Sequence, residues 1–548
     1  MTFFSPEKNI SKNRIGIALK KATAELMLLV LSSVLFSLAF PSVISTWGIA
    51  PVAFISIIPV FIVVHSSNWK SIIPYGAFYG FITYGIFNYW LSTFHPLAII
   101  IVPTIYATYF IFLFPVLKLV DKLFPKYGYL IQALCWIGYE YFRTKGFLGY
   151  SYGIIGYSMS AVTPFIQIAS VTGVWGVSFL VILPSAYLGN ALKNGLRGFL
   201  DFFRNHRLES YLYGGIIILN LLFGFLVMTD YSDSPQWKVA LIQHNADTWK
   251  GGLRAYERNF GILRDLSIEA VKENPDIVIW SETAFVPGVD WHSRFRTDSA
   301  RFALVNDLKN FLSTQNVPYL LGNDDGQLKD PLLPPVLSDG SYNRVDYNAV
   351  LLYENGELKD TYRKLHLVPF TENFPYKESL SGIYNILVNN NYHFWERGTE
   401  YTVFHAAGVK FSTPICFEDV FGYLSRNFVN KGAEVIVNLT NDSWSGSLSS
   451  QMQHLGMAVF RAIENRRSLV RSANSGMTGI IDPDGRIVSL LEPFTSDYLV
   501  GEVPIYTERS TIYTAFGDWF AYISIILALV LILFGITKSI YIRLQLKK

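Results

Sequence analysis

Formal charge is almost missing from the first part of this sequence: between positions 22 and 117 only Glu25 and Lys70 carry one. Charged residues make up 16% of the 548-residue chain, against about 25% in an average soluble protein. That excludes a water-soluble N-terminal domain. Cysteine is scarce as well, with Cys135 and Cys416 alone. Two cysteines in such different surroundings do not make a disulfide framework, and Cys135, inside an apolar run, reads as a small buried hydrophobe. No Cys/His cluster has zinc-ligand spacing, so neither a metal nor a cofactor is expected. A net charge of +3 gives no reason to expect a nucleic-acid partner. Internal repeats and low-complexity segments are lacking, and with no sign of a stable oligomer a monomer is expected.

What the chain has instead is a series of long apolar runs. Spans are expected near 24–41, 48–66, 72–92, 97–117, 127–142, 163–189 and 211–229, with an eighth near 518–537. Most approach the ~20 apolar residues that cross a bilayer core. The first follows a basic start (Lys8, Lys12, Arg14, Lys20, Lys21). It exceeds a signal-peptide core and further spans follow, which predicts an uncleaved membrane helix. The two tails and the loops on their side of the spans hold seventeen Lys/Arg, while the short loops on the other side hold only Arg143 and Lys145. Positive charge marks the cytoplasmic face. Both termini are thus predicted inside and residues 230–516 outside, as in a multi-pass protein of a bacterial inner membrane with a periplasmic domain. The predicted division is a membrane domain of seven helices over 1–230, a catalytic domain over 231–510, and a C-terminal span with a cytoplasmic tail over 511–548. Seven spans exceed what an anchor needs, which argues that the membrane part binds or admits something apolar. Glu140 and Arg143, three apart on one helix face, are expected to form an interfacial ion pair.

From Trp237 onward the pattern changes. Short β-rich runs appear at 238–245, 276–280, 318–323, 347–354 and 434–441. Between them lies a helical pattern over 253–273, with Leu253, Tyr256, Phe260, Leu263, Leu266 and Ala270 at near-3.6 spacing. A second helix is expected over about 450–466, and Asp484-Gly485 reads as a tight turn between two late strands. Strands alternating with helices predict an α/β layered domain.

Three runs put a reactive group at a strand end, where α/β folds collect such groups. DIVIW leads into Ser281-Glu282-Thr283, TYRKLHLVPFTENFP carries Lys364 and Glu372, and within VKFSTPICFED a strand is expected to end at Cys416. Such a trio is chemically coherent. The thiolate is the nucleophile, a carboxylate with a raised pKa can take its proton, and a lysine can meet a developing oxyanion. One preorganised donor of that kind is worth ~10²–10³ in rate. His244, His366 and His454 show no ligand-like partners in the sequence and are read as structural.

The phrases around these residues resemble a known superfamily. WSETAF (280–285), YRKLHLVPFTENFP (362–375), ICFED (415–419) and NLTNDSWSG (438–446) are similar to the motifs of the nitrilase, or carbon–nitrogen hydrolase, superfamily. The LVPF-x-E and NDxW phrases, the eight-span layout and RAIENRRSLVRSANSGMTGIIDPDG (461–485) resemble one branch of it, the apolipoprotein N-acyltransferases. The resemblance implies an αββα sandwich on the outer face of a membrane bundle. It implies Glu282 as general base, Lys364 as oxyanion stabiliser and Cys416 as nucleophile. Glu372, Asn348, Glu418, Asn441 and Trp444 match further active-site positions. Three residues depart from the family's usual pattern: Phe417 stands where tyrosine is common, Thr371 where glycine is, and Ser445 where phenylalanine is. These departures bear on lid shape and acyl-chain preference and remove no catalytic group.

The implied reaction is a two-step acyl transfer from a membrane phospholipid, through a Cys416 thioester, to the α-amine of a diacylglyceryl-modified apolipoprotein. Aromatic residues at 374–395 (Phe374, Tyr376, Tyr384, Tyr392, Phe394, Trp395) are expected to form an apolar lid or entry. The same trio would serve a membrane-anchored nitrilase-type amidase, which is the alternative reading. The seven preceding spans favour the acyltransferase, and the intact trio argues against a non-catalytic lipid-binding scaffold.

Overall fold

The computed structural model describes residues 6–94, 96–193, 195–247, 251–389 and 394–546. Among the described residues, five helices are long and apolar enough to cross a membrane: Gly16–Ala39, Ala98–Leu123, Val174–Leu192, Arg207–Val227 and Trp519–Gln545. Two shorter apolar helical stretches, Ala50–Ser66 and Ile72–Phe87, and the 15-residue helix Gly128–Phe142 pack among them. The run expected as one span at 163–189 is three pieces, Thr163–Ile166, Ala169–Thr172 and Val174–Leu192. Pro164 restarts the chain at the first, and Gly173, at φ 65°, breaks the second from the third. The Gln167 side chain donates to the Asp484 carbonyl, 2.8 Å away in the other domain. Such breaks survive at membrane depth only where protein covers the freed backbone.

Glu140 and Arg143 do not pair, contrary to the expected ion pair. Glu140 accepts from the Ile155 backbone N–H at 2.9 Å. Arg143, fully buried, donates to the Tyr106 hydroxyl and, at 2.8 Å, to the Tyr152 carbonyl. Both side chains tie a helix to the loop that follows it.

The second half builds two six-stranded sheets. The first contains β1 (Gln236–Gln243), β2 (Ile277–Trp280), β3 (Tyr319–Leu328), β4 (Arg344–Glu354), β5 (Glu357–Arg363) and β12 (Asp497–Pro504), in the order 12-1-2-3-4-5. The second contains β6 (Val403–Ala406), β7 (Val409–Ser412), β8 (Val435–Thr440), β9 (Ser468–Ala473), β10 (Gly479–Ile481) and β11 (Ile487–Leu490), in the order 11-10-9-8-7-6. Strand alternation sorts the side chains. Val239, Leu241, Ile277, Ile279, Leu320, Val350 and Leu352 pack toward the second sheet. Their neighbours Ala240, Ile242, Val278, Trp280, Tyr319, Leu321 and Leu351 pack on helices Gly252–Val271 and Ser299–Ser313. Helices Gly422–Asn430 and Leu448–Asn465 cover the far side of the second sheet, completing an αββα sandwich.

Helix Leu448–Asn465 is the joint between the halves. Every residue from Ser449 to Asn465 is buried. One face lies on the second sheet, and the other meets the membrane bundle. Tyr89 donates to Ser449 at 2.9 Å, Trp90 to Gln453 at 3.2 Å and Gln453 to the Pro41 carbonyl at 2.9 Å. Further along, Arg461 donates to the Tyr157 hydroxyl at 3.1 Å, and Glu464 accepts from the Val174 N–H at 3.2 Å.

Candidate active site

Strand ends deliver the reactive groups to one place between the sheets. Glu282 follows β2, Lys364 follows β5, and Cys416 opens a short 3-10 turn, Cys416–Val420, after β7. Lys364 Nζ lies 3.3 Å from Glu282 Oε1 and 2.8 Å from Glu372 Oε1. Asn348 Nδ2 donates to the same two oxygens, at 2.8 and 3.3 Å. The second oxygen of Glu282 accepts from the Asn441 N–H at 2.9 Å, and that of Glu372 from the Val368 N–H at 2.8 Å. Both carboxylates are therefore fixed at both oxygens, and two of them enclose one buried ammonium.

Burial alone would drive the proton off Lys364, but the charges of Glu282 and Glu372 reverse this and hold it ionised. Burial lifts Glu282 above its ordinary pKa; Lys364 opposes the rise and Glu372 assists it. Burial, with the Glu282 charge behind it, also lifts the Cys416 thiol well above its ordinary value, against the pull of Lys364. A thiol of raised pKa thus shares the site with a carboxylate of raised pKa, an arrangement that can pass a proton from the one to the other.

Cys416 sits at φ 48°, a left-handed conformation that a residue with a side chain adopts at a cost of order 1–3 kcal/mol when the surroundings enforce it. The enforcing contacts are clear. Asn438 Nδ2 donates to the carbonyls of Pro414 and Cys416, at 3.0 and 3.2 Å. Asn438 Oδ1 accepts from Arg471 at 3.0 Å. Arg471, fully buried, also donates to Asp419 at 2.6 Å, to Asp442 at 2.9 Å and to His454 Nδ1 at 2.7 Å. His454 Nε2 is 2.7 Å from Asp419, so the imidazole takes from the guanidinium at one nitrogen and gives to the carboxylate at the other. The cluster anchors the floor beneath the nucleophile. His454 thus has partners that its sequence setting did not reveal.

Glu418 does a related job. Its carboxylate accepts from the N–H groups of Ile415, Leu365 and His366, at 2.7, 2.7 and 2.9 Å, and from Tyr362 at 2.8 Å. It joins the cysteine loop to the lysine loop. Burial raises its pKa to about 7.

The remaining expected positions fall into two groups. Asn441 is at the centre, through the bond to Glu282 and through its side chain, which accepts from Ser443 and Asn474 at 2.7 and 3.1 Å. Trp444 is at the edge, its ring 5.8 Å from that of Trp90 in the membrane bundle. Phe417 packs against Phe421, His366 and the bundle residue Tyr150 (ring centres 5.0, 6.0 and 6.4 Å). The aromatics expected as a lid are placed differently from one another where they are described. The rings of Phe374, Tyr384 and Phe394 lie within 5.9 Å of one another, Trp395 is buried with its N–H on the Glu372 carbonyl, Tyr376 points outward, and Tyr392 lies outside the described residues.

Asn438, Asp419, Asp442, His454 and Arg471 are the site residues that sequence reasoning missed. One signal was available: an arginine in the middle of the apolar strand SLVRSA must find a buried partner.

The family model for the apolipoprotein N-acyltransferase N-terminal domain matches residues 32–187, and that for carbon-nitrogen hydrolase matches residues 238–513. Apolipoprotein N-acyltransferase 1 of Treponema denticola is 40% identical over 536 residues, covering 96% of this chain and 98% of that protein. Its namesake in Treponema pallidum is 41% identical, with 90% and 92% covered. Apolipoprotein N-acyltransferase of Geobacter metallireducens is 29% identical, again with 90% and 92% covered. Among solved structures, an amidase of the nitrilase superfamily from Nesterenkonia AN1 aligns with 50% of this chain and 94% of its own, at 16% identity and a TM-score of 0.35.

Proposed function

The chain belongs to the apolipoprotein N-acyltransferase family, and on that premise we propose that Glu282, Lys364 and Cys416 transfer an acyl chain from phospholipid to the N-terminal amine of diacylglyceryl-modified apolipoproteins. In the first half, the Cys416 sulfur bonds to the ester carbonyl carbon while Glu282 takes the thiol proton. Lys364 meets the negative charge on the carbonyl oxygen, an interaction worth about 3–4 kcal/mol of barrier when the donor is fixed in place. The ester C–O bond then breaks, the departing glycerol oxygen takes the proton from Glu282, and a thioester remains. In the second half, the α-amine of the lipid-modified cysteine attacks the thioester carbonyl. Glu282 takes a proton from that amine and returns it to the leaving sulfur, giving an amide and free Cys416.

Asn348, Glu372, Glu418 and Asn441 hold these groups in place. Trp444 belongs to the border with the bundle. The observation that carries the reading is the buried Glu282–Lys364–Glu372 cluster beside a nucleophile held in a left-handed turn. A lipid donor is supported by bundle aromatics that reach the nucleophile turn and the segments around it. Tyr150 lies against Phe417, Tyr152 against His454 and Phe147 against Phe370, with ring centres 6.4, 6.1 and 5.2 Å apart. The chain acts as a monomer in this scheme, with its catalytic domain on the periplasmic side and both termini in the cytoplasm. The test is expression in bacteria depleted of their own N-acyltransferase, followed by mass measurement of a lipoprotein's N-terminal peptide. The peptide gains one acyl group with the unsubstituted chain and none with Cys416→Ser; a free α-amine in both overturns the reading.

A further inference from the structure

The water-facing sandwich holds a second concavity, of about 370 Å3, that the acyl-transfer steps do not use. Its walls include Trp291, His292, Asp324, Tyr342, Arg344 and Trp395, and none of its lining comes from the membrane bundle. It lies in line with the catalytic groups. Arg344, Asp346 and Asn348 are two apart on β4, so their side chains share one face. Asp324 is the register partner of Asn348 on β3. Asn348 contacts both Glu282 and Glu372, and each two-residue step along the strand covers about 7 Å. A second strand of chain closes the gap: the Trp395 N–H donates to the Glu372 carbonyl at 2.8 Å, and the Glu396 N–H to the Asp346 carbonyl at 2.7 Å.

The concavity carries unsatisfied polarity. His292 is buried and its Nδ1 has no hydrogen-bond partner, and Asp324 Oδ1 has none either. Buried polar atoms in native proteins are normally paired. Asp324 and Asp346 grip Arg344 from two sides, and the guanidinium lies 4.9 Å from the centre of the Trp291 ring. Burial, then the charges of Arg344 and Arg301, depress the His292 pKa to about 4, so its imidazole is neutral. These two atoms are walled in; what an entering chain can reach is the exposed rim, the Arg301 guanidinium and the Tyr342 hydroxyl, which hydrocarbon would leave unused and the N–H and C=O groups of an extended polypeptide can engage. The amine that attacks the thioester begins such a chain. At about 3.3 Å per residue, about four residues after the modified cysteine cover the distance from Asn348, which contacts Glu282, to Arg344.

We propose that this groove binds the polypeptide of the acceptor substrate, taking the residues that follow its lipid-modified cysteine in extended form past Arg344 and under the rim of Arg301 and Tyr342, with His292 and Trp291 shaping the wall behind them. The inference rests on the acyl-transfer reading above. The test uses the full chain in phospholipid nanodiscs with two synthetic acceptors, a diacylglyceryl-cysteinyl decapeptide and diacylglyceryl-cysteine amide. The variants are His292→Gln inside the groove and Tyr342→Ser on its exposed rim, so that one remains informative if the other fails to fold. Thioester formation on Cys416, read by intact mass, is unchanged in both. KM for the decapeptide rises about tenfold, while KM for the single-residue acceptor does not move. An unchanged decapeptide KM in both variants overturns the groove. Slower thioester formation in both also overturns it, because the concavity then serves the donor's headgroup. No thioester in the unsubstituted chain overturns the acyl-transfer reading itself.

Discussion

At the scale of single residues, the site works by making one cation answer to two anions. Lys364 cannot lose its proton between Glu282 and Glu372, and Glu282 cannot be an ordinary carboxylate so close to Glu372. Removing Lys364 would leave two buried carboxylates without a counter-charge, a loss of ~3–5 kcal/mol. Glu372→Gln is more informative. It deletes the like charge that raises Glu282 and leaves Lys364 to pair with Glu282 alone. Both changes lower the Glu282 pKa, and Glu282 must be ionised to take the thiol proton. The acid limb of the pH–rate profile for thioester formation is therefore expected to move to lower pH. The plateau rate falls by up to about 10²-fold as Lys364 loses one of its fixing partners. A limb that stays put, or moves to higher pH, would show that Glu372 does not tune the base.

At the scale of elements, what was legible followed from local pattern. Strands β1 to β4 were legible because burial on both faces makes them short apolar, β-rich runs, and helix Gly252–Val271 because burial on one face writes its period into the sequence; β5 and β12, largely exposed or half-buried, were not. Glu282, Lys364, Glu372 and Cys416 were legible because each stands at a strand end inside a recognisable phrase. The cluster under Cys416 was not. Asn438, His454 and Arg471 come from β8, helix Leu448–Asn465 and β9, and only tertiary packing brings them to Asp419. The span expected at 163–189 failed for the same reason, since its breaks are stabilised by partners such as Asp484 and Glu464 that lie about 300 residues away.

Helix Leu448–Asn465 was expected as a helix, but nothing in its sequence states that it is buried on both sides. Gly456 shows the closeness of that joint: a Cβ there would meet Ser160 Oγ at 3.0 Å and its Cβ at 3.3 Å. Ser160 can yield a few tenths of an ångström, and alanine gains up to ~1 kcal/mol of helix propensity over glycine. Gly456→Ala is thus expected to leave the melting temperature in detergent nearly unchanged. Gly456→Leu cannot be absorbed against the bundle and should cost ~1–3 kcal/mol, lowering the melting temperature and acyl transfer together. Equal melting temperatures for all three chains would mean that the helix does not pack on the bundle as described.

At the scale of the molecule, charge and contact define two ends of the bundle. At one end Lys21 donates to the Ser66 carbonyl at 2.7 Å, Lys118 to the carbonyls of Val64 and His65 at 2.7 and 2.9 Å, and Lys193 to the Pro125 carbonyl at 3.0 Å. At the other end Pro41, Trp90 and Val174 touch the catalytic domain. Of the two basic residues expected there, Arg143 is buried among tyrosines and Lys145 pairs with Asp518 at 3.2 Å. The end that carries the catalytic domain therefore presents less free positive charge than a residue count implies. By the rule that Lys- and Arg-rich loops stay in the cytoplasm, the proposed orientation puts the catalytic domain in the periplasm. Both native cysteines are at least partly buried, which allows a direct test. Leu332, 92% exposed on the sandwich, and Trp69, 49% exposed in the loop beside Lys70, are each replaced by cysteine and treated with a membrane-impermeant maleimide, with the unsubstituted chain as background. Leu332→Cys is expected to label in intact spheroplasts and Trp69→Cys only after permeabilisation. The reverse pattern would place the catalytic domain in the cytoplasm, and labelling of both in intact spheroplasts would place the two residues on the same side.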